Sequence, residues 1–158
     1  MDRKIRKTAI AVFALSMLGI MLGAHASNVV LTEENVTRYE ATHPEIWEVT
    51  KKLTEIEKMP ASDDKEAKLK EQLARREEII ASNGWTDFWA YMDTRGRITE
   101  GLIPLMVLEK FKNHSAENRK KAQDSIVTRL QEKEFSQEEI KVLIKHYPAL
   151  KKMQESLG

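Results

Sequence analysis

Apolar residues recur every three or four positions through almost the whole chain after residue 30, which is the spacing of one buried face on an α-helix. No segment alternates apolar and polar residues in the manner of a half-buried strand. The pattern therefore predicts an all-α protein, an irregular multi-helix bundle that residues 27–158 form as a single domain.

Prolines are predicted to divide these helices. Pro44 and Pro148 each follow a capped amphipathic segment, and a proline disfavours helical geometry in the preceding residue while it suits the first turn of a new helix. We therefore expect proline-broken helical arms at both ends of the mature chain. A third proline predicts a kink or break between Arg95 and Pro104.

The two arms are similar in sequence pattern. Residues 31–53 align without gaps on residues 135–157, so that the cap Thr32 falls on the cap Ser136 and the two prolines coincide. One interpretation is a true internal repeat whose arms meet in the fold. The other is the agreement expected of any two amphipathic helices with a cap and a proline.

The densest apolar segment, residues 84–111, is the predicted centre of the core. It contains four aromatic side chains near helical spacing: Trp85, Phe88, Trp89 and Tyr91. Aromatic residues in this arrangement usually pack in a core. They are also the first candidate binding residues, either as a contact surface or as the lining of a ligand pocket at the predicted kink.

Trp47 is the second candidate for binding. It lies on a segment whose inward stripe is already formed by Ile46, Val49 and Leu53, so its indole is free to be an exposed contact anchor. This hypothesis predicts that Trp47→Ala leaves the melting temperature nearly unchanged and weakens the capture of a partner.

The first 26 residues have the pattern of a secretory signal peptide. Basic residues precede an apolar run over residues 8–23, and Ala24-His25-Ala26 offers a small-x-small cleavage site. The run is short against the roughly 20 residues that span a bilayer. We expect cleavage before Ser27, a periplasmic location, and no membrane contact after cleavage.

Loss of this leader changes the net charge. It removes four basic residues and one acidic residue, so the net charge falls from +1 to −2. A global positive field, which would suggest binding to nucleic acid, is therefore not expected. The absence of cysteine excludes a covalently attached c-type haem, a thiol nucleophile and a Cys-ligated zinc site.

Catalytic motifs are missing from the sequence. There is no glycine-rich phosphate loop, no G-x-S-x-G and no H-E-x-x-H, so we expect no enzymatic activity and no cofactor. His43 and His146 each lie beside the proline of their own arm. If the arms meet, these histidines could bind a metal ion together with Glu45, although two histidines without a fixed spacing do not specify a site.

The order of the predicted elements resembles that of small exported all-helical proteins of Gram-negative bacteria. The segment Leu31-Thr32-Glu33-Glu34 leads through an amphipathic helix to Pro44, a charged helix follows, and Gly84-Trp85 opens the next helix. A more distant similarity is to the Spy and CpxP periplasmic chaperones, whose signature is Leu-Thr-x-x-Gln. Residues 31–35 and 135–139 are similar to that signature but lack its glutamine. The resemblance implies a periplasmic helical domain and transfers no catalytic residues.

Together these features predict a periplasmic, non-enzymatic helical protein that acts through protein–protein interaction, as a partner-binding protein or a chaperone-like stress factor. The alternative is a binding module for a small apolar ligand or a metal ion. A closed apolar pocket would favour the module, and an exposed apolar groove would favour the interaction protein. The sequence identifies no particular partner, and it leaves both a monomer and a homodimer open.

Overall fold

The computed structural model describes residues 29–157, which form five α-helices and no strand. The helices are α1 (Glu33–Glu57), α2 (Asp63–Ser82), α3 (Phe88–Glu109), α4 (Ala116–Glu132) and α5 (Gln137–Leu157). The prediction of an all-α multi-helix bundle is confirmed. The predicted signal peptide and its cleavage site lie outside the described residues. Within residues 29–157 no helix combines the length and the apolar character needed to cross a membrane.

Helices α1 and α3 are the centre of the bundle. Helix α1 packs against α2, α3 and α5, and α3 packs against all four other helices. Helix α2 therefore packs on one side of the α1–α3 pair and α4 on the other, and the first and last helices, α1 and α5, are in contact. The buried apolar side chains form one cluster drawn from all five helices and from Leu31, Trp85 and Phe135 in the connections.

Local caps determine where the helices begin. Thr32 Oγ1 accepts a hydrogen bond from the Asn35 N–H at 3.2 Å, and the Asn35 side chain accepts one from the Thr32 N–H at 2.8 Å. Ser136 and Glu139, which have the spacing of a capping box, form the same reciprocal pair at 3.2 and 2.8 Å. Each cap satisfies two backbone groups that the first turn of the helix leaves without partners.

The predicted breaks at Pro44 and Pro148 are wrong, because both prolines lie inside continuous helices. An interior proline costs about 3 kcal/mol through its lost hydrogen bond and its clash with the preceding turn. In α1, however, the buried residues before the proline (36 and 39) and after it (46 and 49) lie on one helical face. A continuous helix buries both sets against the same neighbours, whereas a break would turn one set away.

The predicted break between Arg95 and Pro104 is absent as well, since α3 is continuous through Pro104. Gly101 is buried against α5 and its preceding turn, and a Cβ atom placed there would lie 2.4 Å from Leu143 Cδ1 and 3.2 Å from Phe135 Cε1. Side chains of α5 and of its preceding turn therefore pack where a ligand pocket was the alternative to a core.

Candidate functional site

The main candidate site is an open groove of about 630 Å³ between the C-terminal half of α3, helix α4 and helix α5, called the α3–α5 groove below. Its floor is apolar. The floor residues are Leu105, Leu108, Ile126, Val127, Leu130, Ile140, Ile144, Tyr147 and Pro148. Ile144 is 47% exposed, so a large aliphatic side chain of the floor faces solvent.

The sequence of α4 explains why this groove stays open. Ile126 and Leu130 are its buried residues, and both lie in its second half. The first half is charged and has no buried side chain. The apolar surface opposite that half is therefore left uncovered.

Charged side chains border the groove at the end of α3 and along α5. Glu109 accepts hydrogen bonds from Lys151 and, at 3.0 Å, from Lys112, and these bonds lower the pKa of Glu109. Lys151 also lies 3.5 Å from Glu155. Lys152 forms no ion pair with any described residue. Three lysines against two glutamates leave the rim with an excess of one positive charge.

Tyr147 supplies a polar group to the groove. Its hydroxyl is buried and makes no hydrogen bond of normal geometry within the described residues. Burial, and after it the charge of the nearby Glu109 carboxylate, raise the pKa of Tyr147, so the phenol is neutral at physiological pH.

A second apolar surface lies on the outer side of α3. Trp89, Ile103 and Met106 are 54%, 61% and 40% exposed. Positions 89 and 103 are four turns apart on the same side of the helix, with the exposed Gly96 between them. A Cβ atom at Gly96 would have no neighbour within 4 Å, which marks this side as open to solvent.

Most of the predicted aromatic binding residues belong to the core. Trp85, Phe88 and Tyr91 are buried, and the Tyr91 ring lies 5.7 Å from the Trp85 ring and 5.9 Å from the Phe88 ring. They therefore form no contact surface, as the core interpretation of their spacing expected. Trp89 is exposed and remains available for contacts. Trp47 is half-buried and lies outside the buried apolar cluster.

His43 is part of the same core. Its Nδ1 and the Tyr91 hydroxyl share a hydrogen bond of 2.5 Å, and its ring stacks on Tyr39 with centroids 4.8 Å apart. Burial, with a smaller contribution from the charge of Arg95, lowers the pKa of His43 to about 4. The imidazole is therefore neutral at physiological pH, with Nδ1 bonded to Tyr91.

The two arms, now the helices α1 and α5, do pack together, but His146 contacts carboxylates and not His43. Its Nδ1 lies 2.9 Å from Glu40 and its Nε2 lies 2.9 Å from Glu33, whereas Glu45 is exposed on α1. Within residues 29–157, no group of three or more His, Asp or Glu side chains is arranged to hold a metal ion. The hypothesis of a metal site formed by His43, His146 and Glu45 is therefore wrong, because the two histidines lie in separate networks.

Sequence reasoning missed the buried ion pair between Glu139 and Arg97. Glu139 is 2% exposed, and its Oε1 accepts hydrogen bonds from Arg97 Nε and from the Leu31 N–H, both at 3.1 Å. The Arg97 guanidinium also lies over the Phe135 ring, 3.6 Å from its centroid. The spacing of Ser136 and Glu139 is typical of a capping box, but no local pattern connects Glu139 with a residue 42 positions away.

Comparison with known proteins gives no further guide to the site. No protein-family model matches the sequence, and neither curated proteins nor solved structures provide a similar protein.

Proposed function

We propose that the protein acts without catalysis, through contact with another protein, and that the α3–α5 groove holds an amphipathic helical segment of that partner. The observation that supports this most strongly is the open apolar floor with a charged rim. An apolar groove of this kind can take the apolar face of a helix, whereas a carrier of small molecules usually encloses its ligand.

The chemistry of the groove indicates what such a segment should contain. Burial of apolar surface contributes about 25 cal/mol for each Å² removed from water, so the floor favours aliphatic or aromatic residues at positions i, i+3 or i+4, and i+7. The positive excess on the rim favours acidic residues beside that apolar face. Charges on the rim mainly affect the association rate and the choice of partner.

The location of this activity is part of the proposal. A leader with a small-x-small cleavage site and the resemblance to exported helical proteins support a periplasmic site of action. There the protein serves as a partner-binding protein or a chaperone-like stress factor.

A second candidate function is the binding of a small apolar molecule in the same groove. The groove volume of about 630 Å³ lies within the usual 300–1,000 Å³ range of ligand sites, and its apolar floor suits such a molecule. Because the groove is open, we favour the binding of a protein segment over this second function.

Site-specific photo-crosslinking in the source cell tests the proposal. A photoreactive residue replaces Val127, which lies on the groove floor, and in a matched control it replaces Ala74, which is exposed on α2. Helix α2 contacts neither α4 nor α5, so position 74 reports on a surface remote from the groove.

The expected result is a crosslink from position 127 to one defined amphipathic segment, identified by mass spectrometry and absent from position 74. A crosslink of small added mass at position 127 would support the second candidate instead. Equal crosslinking from both positions, or none from position 127, would contradict the proposal.

A further inference from the structure

His146 lies on α5 between two carboxylates of α1. Its Nδ1 is 2.9 Å from Glu40 Oε1, and its Nε2 is 2.9 Å from Glu33 Oε1. Lys145 also reaches Glu33 Oε1, at 2.5 Å. The histidine side chain is only 11% exposed, so protein groups and not water occupy most of its surroundings. These contacts join the first and last helices of the described chain.

The number of protons on the imidazole follows from this geometry. An ionised carboxylate only accepts hydrogen bonds, and a neutral imidazole has a single N–H. Both contacts of His146 therefore require the doubly protonated imidazolium. In the neutral form, one ring nitrogen would direct its lone pair at a carboxylate oxygen 2.9 Å away, so that contact would have to open.

We infer that His146 is a proton-dependent clasp between α1 and α5, closed while the imidazole carries both protons and opened on one side when it loses one. The groups that act on its charge are Glu40 and Glu33, and within the described residues none comes from α3 or α4. With the imidazolium present, these two glutamates, Lys145 and His146 sum to zero charge. Loss of the proton leaves one uncompensated negative charge.

The expected pH dependence has a definite sign. Burial alone would lower the pKa of His146, but the hydrogen bonds and charges of Glu40 and Glu33 outweigh burial and raise the pKa above its ordinary value. A histidine whose pKa is raised on folding stabilises the folded state fully below about pH 6.5, the pKa of the unfolded chain. That stabilisation is lost as the pH rises through the pKa of the folded state. The clasp is therefore closed in mild acid and opens in base.

This inference stands apart from the proposed partner binding, because it rests only on contacts within the chain. It has a consequence for the groove, however, since α5 carries the clasp on one side and the groove residues Ile144 and Tyr147 on the other. Opening of the clasp removes one of the contacts that fix α5 on α1.

Nuclear magnetic resonance of the histidine side-chain nitrogens tests the protonation state directly. In the full chain at pH 6, we expect both nitrogens of His146 to be protonated and its pKa to lie above 6.5. Glu40→Gln and Glu33→Gln should each shift that pKa downward. Glu45→Gln is the matched control, because Glu45 is exposed on the same helix and should leave it unchanged. A neutral tautomer at pH 6, or a pKa that Glu40→Gln leaves unchanged, would overturn the inference.

Stability measurements provide an independent test. We expect His146→Gln to unfold at a lower urea concentration than the wild type at pH 6, and the difference to shrink as the pH rises to 9. His43 is unchanged in both proteins, so its own titration cancels in the comparison. A difference that stays constant from pH 6 to pH 9 would show that His146 acts through packing alone and would refute the clasp.

Discussion

Glu139 joins three separated parts of the chain through one carboxylate. It caps α5 through the Ser136 N–H, accepts from the Leu31 N–H ahead of α1, and pairs with Arg97 of α3. Both charged side chains are largely withdrawn from water, at 3% and 11% exposure. Such a pair contributes little net stability compared with apolar residues, but removal of one partner leaves the other charge uncompensated.

The first prediction concerns that uncompensated charge. Glu139→Gln keeps the shape of the side chain and removes its charge, so we expect it to lower the free energy of unfolding by about 3 kcal/mol. Glu138→Gln is the matched control, because Glu138 lies on the surface and pairs there with Lys141. Urea unfolding of both variants at pH 7 checks the difference, and equal stabilities would contradict this role for Glu139.

The second prediction concerns the acid limb of the stability curve. Burial alone would raise the pKa of Glu139, but the Arg97 hydrogen bond and the Ser136 and Leu31 N–H groups together lower it below its ordinary value. A carboxylate whose pKa is lowered on folding stabilises the folded state fully above about pH 4.5. That stabilisation is lost as the pH falls through the pKa of the folded state. Between pH 5 and pH 3 the wild type should therefore lose more stability than Glu139→Gln. Equal losses of unfolding free energy in the two proteins would contradict this role of the Glu139 carboxylate.

At the scale of residues, the sequence predicted the roles that local spacing determines. It identified Thr32 and Ser136 as caps, and each hydroxyl accepts a hydrogen bond from the backbone N–H three residues further on. It could not identify Arg97 as the partner of Glu139, since that pairing depends on how α3 and α5 pack.

At the scale of elements, the two interior glycines of α3 differ in what surrounds them. Gly96 faces open space, whereas Gly101 faces the Leu143 side chain, which is fully buried. The helix would gain about 1 kcal/mol from alanine at either position. At Gly101, overpacking costs about 1–3 kcal/mol and opposes that gain.

The third prediction follows from this contrast. Gly96→Ala should raise the melting temperature, and Gly101→Ala should lower it, because the added methyl group at residue 101 would lie 2.4 Å from Cδ1 of the buried Leu143 side chain. Calorimetry of the two variants side by side checks the signs. An increase for both would mean that α5 can shift away from α3 without loss.

The prolines show where reasoning about single elements failed. The predicted breaks considered only the local geometry of each proline. In the bundle, the helices are continuous through Pro44 and Pro148, so the buried residues on both sides of each proline lie on one helical face. Equivalent positions of the two arms are buried for the same reason: residues 36 and 140 before the prolines, and residues 46 and 150 after them.

At the scale of the whole molecule, the sequence predicted the fold class but not the site. Helical spacing recurs in every segment, so the all-α bundle could be predicted from the sequence alone. The α3–α5 groove depends on the placement of three helices and on the charged first half of α4, and no single segment carries that information. The aromatic residues chosen as binding candidates were instead mostly core, because their spacing fits both roles.

The proposed function depends on the apolar floor of the groove. Ile144 is already 47% exposed, so Ile144→Asp should change the free energy of unfolding little while placing a negative charge where the partner segment has its apolar face. Leu73→Asp is the matched control, since Leu73 is 38% exposed on α2, away from the groove.

The most direct test of the account combines Ile144→Asp with photo-crosslinking from position 127 in the source cell. We predict that the crosslinked segment identified with the wild type falls at least tenfold, roughly the effect of losing 1.4 kcal/mol of binding free energy, and that Leu73→Asp leaves it unchanged. Undiminished crosslinking in Ile144→Asp, with the protein still folded, would contradict the claim that this groove is where the protein makes its contacts.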